Sequence, residues 1–170
     1  MKDLDHIIDF WIKELERYTI IELQLKPSPH SWSLGQLYIH LLNDTNYYIE
    51  QIKICVSTSH NSAEEMAPAA KTMLLNNEFP DAIIEGAPSN AQIPQPENKE
   101  QLHIGLVRLK EEAKEVERLI SQTPYRGKTE HPGLQYFNAG EWYRFAGMHF
   151  RHHLRQKKRI DDFLKSAEAQ

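Results

Sequence analysis

Apolar residues recur at three- and four-residue steps in four stretches of this chain, each bounded by residues that start or stop helices. From about residue 4 to residue 25, Leu4, Ile7, Ile8, Trp11, Leu15, Tyr18 and Ile21 or Glu22 form one face of an α-helix, which Pro27 and Pro29 end. Ser33 with Gln36 has the form of a capping box, and Leu37, Leu41, Tyr48 and Ile52 carry a second helix to about Val56. Asn98 with Gln101 opens a third, continued by Leu102, Leu106, Leu109, Ala113, Val116 and Leu119 or Ile120 and closed by the polar turn SQTPYRGK. A fourth starts at Asn138, with Glu141 three residues on and Phe137 placed as a hydrophobic staple, and runs to about Leu164. Four helices of this length predict an all-α fold, a four-helix bundle.

Residues 57–97 form a long crossover between the second and third helices. Pro68, Pro80, Pro88, Pro94 and Pro96 break it too often for one element, although AEEM and AAKTMLLNN each suit a short helical turn. Connections this long often flank a site or cover it as a lid. No sequence repeat and no sustained strand-like alternation is visible.

Composition narrows the function only by exclusion. The 170 residues, 40% of them hydrophobic, suit one domain, residues 1–170. A net charge of −4 creates no field that favours nucleic acid or an anionic membrane. The opening stretch KDLDHIIDFW lacks the basic start and apolar run of a signal peptide, and no apolar run reaches membrane-span length, so a cytoplasmic protein is expected. The single cysteine, Cys55, fits a reducing compartment and reads as a small core residue.

Chemistry concentrates in MHFRHHLRQ on the fourth helix. His149 and His153 are four residues apart, which puts both imidazoles on one face about a turn apart. Phe145, Ile160 and Leu164 share that stripe, so the pair points into the bundle if the stripe is the buried one. His40 on the second helix is a third candidate, since bundle cores build metal sites from facing helices. Three imidazoles with an open position make a Lewis-acidic centre. The same histidines could instead be satisfied by polar neighbours, with no ion. Asp44, one turn beyond His40, and Gln156, three residues beyond His153, could orient an imidazole or a bound water, and Asp44 could serve as base or fourth ligand. His152 lies about 100° of helical rotation from His153 and falls off the shared face. His6, His30, His60, His103 and His131 have no partner at ligand spacing and read as surface or loop residues. The basic run Arg151, Arg155, Lys157, Lys158 and Arg159 winds around its helix without interleaved aromatics, which argues against a nucleic-acid surface.

The segment SWSLGQLYIHLLNDTNYYI resembles the second helix of DinB-like and YfiT-like proteins, where a Trp-Ser start precedes an inward histidine, here His40. HPGLQYFNAGEWYRFAGMHFRHHLRQ is similar to that family's final helix, with Trp142, His149, His153 and Gln156 at the motif positions. These motifs cover residues 31–50 and 131–160. The resemblance implies an up-down-down-up four-helix bundle, often a homodimer, whose His40, His149 and His153 bind one divalent metal ion, nickel or zinc. It further implies a small-molecule substrate and either a hydrolase or a transferase or isomerase dependent on a low-molecular-weight thiol such as bacillithiol or mycothiol. A non-catalytic metal-binding or stress-response protein is the alternative, and an interaction module without metal is a third.

Overall fold

The helix starts follow the capping residues. The computed structural model describes residues 3–80 and 92–168, and its helices are α1 (Asp3–Leu15), α2 (Ile20–Gln24), α3 (Leu34–Cys55), α4 (Pro68–Asn76), α5 (Lys99–Gln122), α6 (Ala139–His152) and α7 (Leu154–Glu168). Ser33 and Asn138 close complete capping boxes with Gln36 and Glu141, and Asn98 accepts from the Gln101 amide at 2.8 Å. The expected staple is in place, with the Phe137 and Trp142 rings 5.1 Å apart.

Two helices expected to be continuous are interrupted. The first ends at Leu15, where the chain tightens through bonds from the Arg17 amide to Glu14 O and from the Tyr18 amide to Leu15 O. Thr19 then caps α2 in a box with Glu22, and this restart turns Leu23 inward in place of the expected Ile21 or Glu22, leaving Ile21 75% exposed. The fourth breaks at His153, which caps α6 in a right-handed conformation with φ −74° and ψ −7°, its ψ shifted from the ideal helical value. The His153 amide still donates to His149 O at 3.2 Å and Lys157 to His153 O at 2.9 Å, so α7 continues close to the direction of α6.

Contacts along the helices fix their directions. Following α3 from His40 through Tyr48 to Cys55, the partners on α6 and before it run backwards from His149 through Phe145 to Phe137, so the two are antiparallel. Trp11 meets Phe150 and Glu14 meets Lys157, which makes α1 parallel to α6 and α7. Lys99 pairs with Glu16 and Lys110 with Asp9, so α5 runs against α1. The bundle is therefore up-down-down-up. Among the described residues no helix is long and apolar enough to cross a membrane.

A small hairpin, absent from the sequence expectation, precedes α6: β1 (Lys128–His131) pairs antiparallel with β2 (Gln135–Asn138), with Thr129 opposite Phe137. Four-residue strands are too short for alternation to show. Met66 bridges to Gln135 in extended conformation, so AEEM forms no helical turn, whereas AAKTMLLNN folds into α4 with Pro68 at its start. Arg144 and Arg151 donate to Leu74 O and Asn77 O and hold the end of α4 on α6. Pro88 and the rest of residues 81–91 lie outside the described residues. The returning crossover docks on α2 through Gln24 to Pro96 O and Gln95 to Gln24 O. Gly35 permits that approach, because a Cβ there would lie 2.5 Å from Pro96 Cγ and 2.8 Å from Leu23 O.

Lys157 is the one buried ammonium among the described residues, and its neighbours satisfy it fully: Glu14 Oε2 and Asp161 Oδ2 at 2.8 Å and the Tyr18 hydroxyl at 2.6 Å. Burial alone would lower its pKa, but the bonds to Asp161, Glu14 and Tyr18 outweigh this and hold it above its ordinary value. Lys157→Ala leaves two carboxylates facing each other and is expected to cost about 3 kcal/mol. Urea unfolding checks this, and a loss under about 1 kcal/mol would mean that the network contributes only what exposed ion pairs do.

Candidate metal centre

His40 lies on the second turn of α3, where the Ser33 cap fixes the phase that turns its ring inward; the Trp32 ring packs against it at 4.9 Å. His149 sits in the last turn of α6, and the helix break falls on His153 itself. Antiparallel packing brings the start of α3 to the end of α6. All three histidines are buried, at 4%, 7% and 8% exposure for His40, His149 and His153.

Their Nε2 atoms form a triangle, each 3.1 Å from the other two. The rings meet nearly edge to face, at 73°, 80° and 85°. The far side of the His153 ring is held by Gln156, whose Oε1 lies 3.0 Å from Nδ1. An amide oxygen only accepts, so His153 carries its proton on Nδ1 and presents a lone pair at Nε2. Among the described residues, the buried Nδ1 atoms of His40 and His149 have no hydrogen-bond partner.

With all three Nε2 atoms deprotonated, lone pairs 3.1 Å apart would repel one another, and a cation among them would turn that repulsion into three bonds. The centre of such a triangle lies about 1.8 Å from each nitrogen, slightly shorter than the roughly 2.0–2.1 Å of an imidazole–zinc bond, so the three nitrogens converge at close to ligand spacing. Burial keeps the rings neutral, the form that binds metal: His40 is pushed down to about 4, His153 to about 3 and His149 well below the ordinary range. The three buried histidines could thus hold a metal ion.

Asp44 stands beside the triangle. Its Oδ1 is 3.5 Å from His40 Nδ1, its Oδ2 is 3.8 Å from His149 Nε2, and the Tyr48 hydroxyl reaches Oδ2 at 3.5 Å. The side chain is one-third exposed, and burial raises its carboxyl to about 6 against the lowering effect of Tyr48. Asp44 is not one of the converging atoms, so the cluster offers three ligands and a carboxylate at its edge.

His152 falls off the shared face as expected, its ring against Phe79 at 5.2 Å and its Nδ1 near Arg155 Nη2. Cys55 is buried with its thiol pushed up by that burial, consistent with a core role. His131 corrects the sequence expectation of a surface residue. It stacks on Trp142 at 5.3 Å, packs against Phe137 and Phe145, and burial pushes it down to about 4. Three further walls of the site were not singled out as such by sequence: Trp32, Tyr48 with its ring 5.7 Å from His149, and Phe79 at 6.3 Å. Tyr48 follows Asp44 by four residues on α3 and is legible at helical spacing, whereas Phe79 arrives from the crossover and carries no such signal.

No curated protein matches the chain. The family model described as the DinB superfamily matches residues 11–156, a span that includes His40, Asp44, His149, His153 and Gln156. With most of its length matched, and with the all-helical fold and the three-histidine cluster in place, the chain belongs to the DinB superfamily.

Proposed function

We propose that this protein is a metal-dependent enzyme in which His40, His149 and His153 hold one divalent ion, nickel or zinc, and a small electrophilic molecule reacts beside it. The observation that carries this is the convergence of three buried Nε2 atoms at 3.1 Å, with the protonated side of His153 fixed by Gln156. A bound divalent ion supplies Lewis acidity, which lowers the pKa of a water or of a low-molecular-weight thiol used as nucleophile. Gln156 keeps the His153 lone pair aimed inward. Asp44 Oδ2, on the His149 Nε2 side and partly open to solvent, accepts the proton that the nucleophile loses. Trp32, Tyr48 and Phe79 limit water around the histidines. Only three ligands converge among the described residues, which favours an open, catalytic shell over a closed structural one.

The test is a screen of zinc- and nickel-loaded protein against activated esters, epoxides and alkyl halides, with and without added thiol. Turnover should need metal and should fall about 100-fold or more in Asp44→Asn, the usual scale for losing a general base. Equal turnover in His40→Ala would overturn the proposal. A requirement for thiol identifies a transferase, and turnover in its absence a hydrolase.

A further inference from the structure

The three ligands are not held alike. His40 lies within α3, and His149 lies in the last turn of α6, a helix that buries Trp142, Phe145, Met148 and Phe150. His153 lies between two helices: α6 ends at His152, α7 begins at Leu154, and the His153 ψ of −7° is far from the helical value of about −42°. Beyond it, the buried side chains of α7 among the described residues are Lys157, Ile160 and Leu164. A terminal helix with few buried side chains, joined to the fold at a break in helical geometry, belongs to the elements that open locally at low cost.

From His153 a continuous set of contacts leads along α7 to α1. Its Nδ1 donates to Gln156 Oε1 at 3.0 Å, and its carbonyl accepts from the Lys157 amide at 2.9 Å. The Lys157 ammonium donates to Glu14 Oε2 and the Tyr18 hydroxyl, and that hydroxyl donates to Asp161 Oδ1 at 2.7 Å. The ligand at the break is thus the first link between the histidine triangle and the seat of α7 on the end of α1.

We propose that the α6–α7 junction is a metal-operated switch, in which an ion bound to His153 keeps α7 docked on the bundle and loss of the ion lets α7 come away. An ion seated on the Nε2 triangle bonds His153 to His40 and His149, and through them to α3 and α6. Undocking begins at the break and carries the His153 ring off with it, which leaves two imidazoles. The ion therefore binds the docked state more tightly, and a ligand shifts an equilibrium by just that difference. The coupling is reciprocal, so whatever loosens α7 weakens the ion. Undocking uncovers Ile160, Leu164 and the Lys157 network, and the state of the centre becomes a change of surface away from it. The switch rests on the metal site of the function proposed above and not on the catalysis.

Backbone hydrogen exchange is followed by mass spectrometry on the whole chain at neutral pH, chelator-treated and zinc-loaded, with zinc content measured on the same samples. Zinc should slow exchange in α7 at least about tenfold more than in α5, a helix that carries no ligand, whereas an ion that only stabilises the whole fold slows both alike. Equal slowing in the two helices, or no slowing in α7 with one zinc bound per chain, would overturn the switch. Leu164→Ala, about three turns beyond the last ligand, should speed α7 exchange in the metal-free protein and weaken zinc binding about three- to tenfold. Faster α7 exchange with unchanged zinc affinity would overturn the switch as well. Absence of bound zinc in the unaltered protein would remove the metal site and the switch together. Zinc-dependent protection of α7 with no turnover anywhere in the electrophile screen would leave the switch standing and remove the catalytic function.

Discussion

His149→Ala and His153→Ala proteins, purified without chelator, are expected to contain no stoichiometric metal, while the unaltered protein carries about one ion per chain. Loss of one of three imidazoles leaves two ligands, and two nitrogens alone do not hold a divalent ion against buffer and competing cellular ligands. Helical content should change little, because the rings lie at the end of α6 and most of the core lies elsewhere, around Trp11, Tyr38, Phe137 and Trp142. Elemental analysis with circular dichroism checks both halves. Unchanged metal content in the two variants would remove the site assignment, and Gln156→Leu should fall between, with affinity reduced about 10- to 100-fold.

The second large effect is acid lability of the metal-free protein. His40, His131, His149 and His153 all have folded-state pKa values below the ordinary range, at about 4, about 4, well below and about 3. Between roughly pH 6.5 and 4 the unfolded chain therefore binds protons that the folded chain refuses, and stability falls as pH falls. Asp44 works in the opposite direction. Its folded value is raised to about 6, so below that pH the folded state takes a proton before the unfolded state does. Four imidazoles less one carboxylate leave a net of up to three protons, or at most about 4 kcal/mol per pH unit. Over the roughly 1.5 units from pH 6.5 to 5 this sums to at most about 6 kcal/mol, comparable with the lower end of the typical 5–15 kcal/mol, so the metal-free chain is expected to become marginal near pH 5. Urea midpoints at pH 7, 6 and 5 measure the slope, and His149→Ala should flatten it by about one proton. A midpoint independent of pH would show that these rings are not buried in the neutral form.

How much of this was legible in the sequence depended on the range of each interaction. Ser33, Asn98 and Asn138 mark helix starts correctly because a cap acts within four residues. Thr19 and Glu22 make the same kind of box, but the apolar spacing of α1 runs on through Tyr18 and hides it. The His149–His153 pair is visible because a helical turn is local, yet the break at His153 is not, since nothing in HHLRQ disfavours helix. His40 reaches the pair only through bundle packing, and resemblance to the family supplies it earlier than spacing does. Asp44 and Gln156 both lie beside the histidines expected of them, with Gln156 the closer contact. The place of Phe79 depends on where a proline-broken crossover returns to α6, which no periodicity encodes.

The antiparallel meeting of α3 and α6 places His40 109 residues from His149 and 113 from His153 along the chain. An ion shared among them is therefore also a crosslink. It closes a loop spanning most of the fold, and a covalent link across a loop of that size removes roughly 4–5 kcal/mol of chain entropy from the unfolded ensemble. The bundle cannot open between α3 and α6 without releasing the ion, so the loaded protein should come apart more slowly than the metal-free one and lose its metal in the same step.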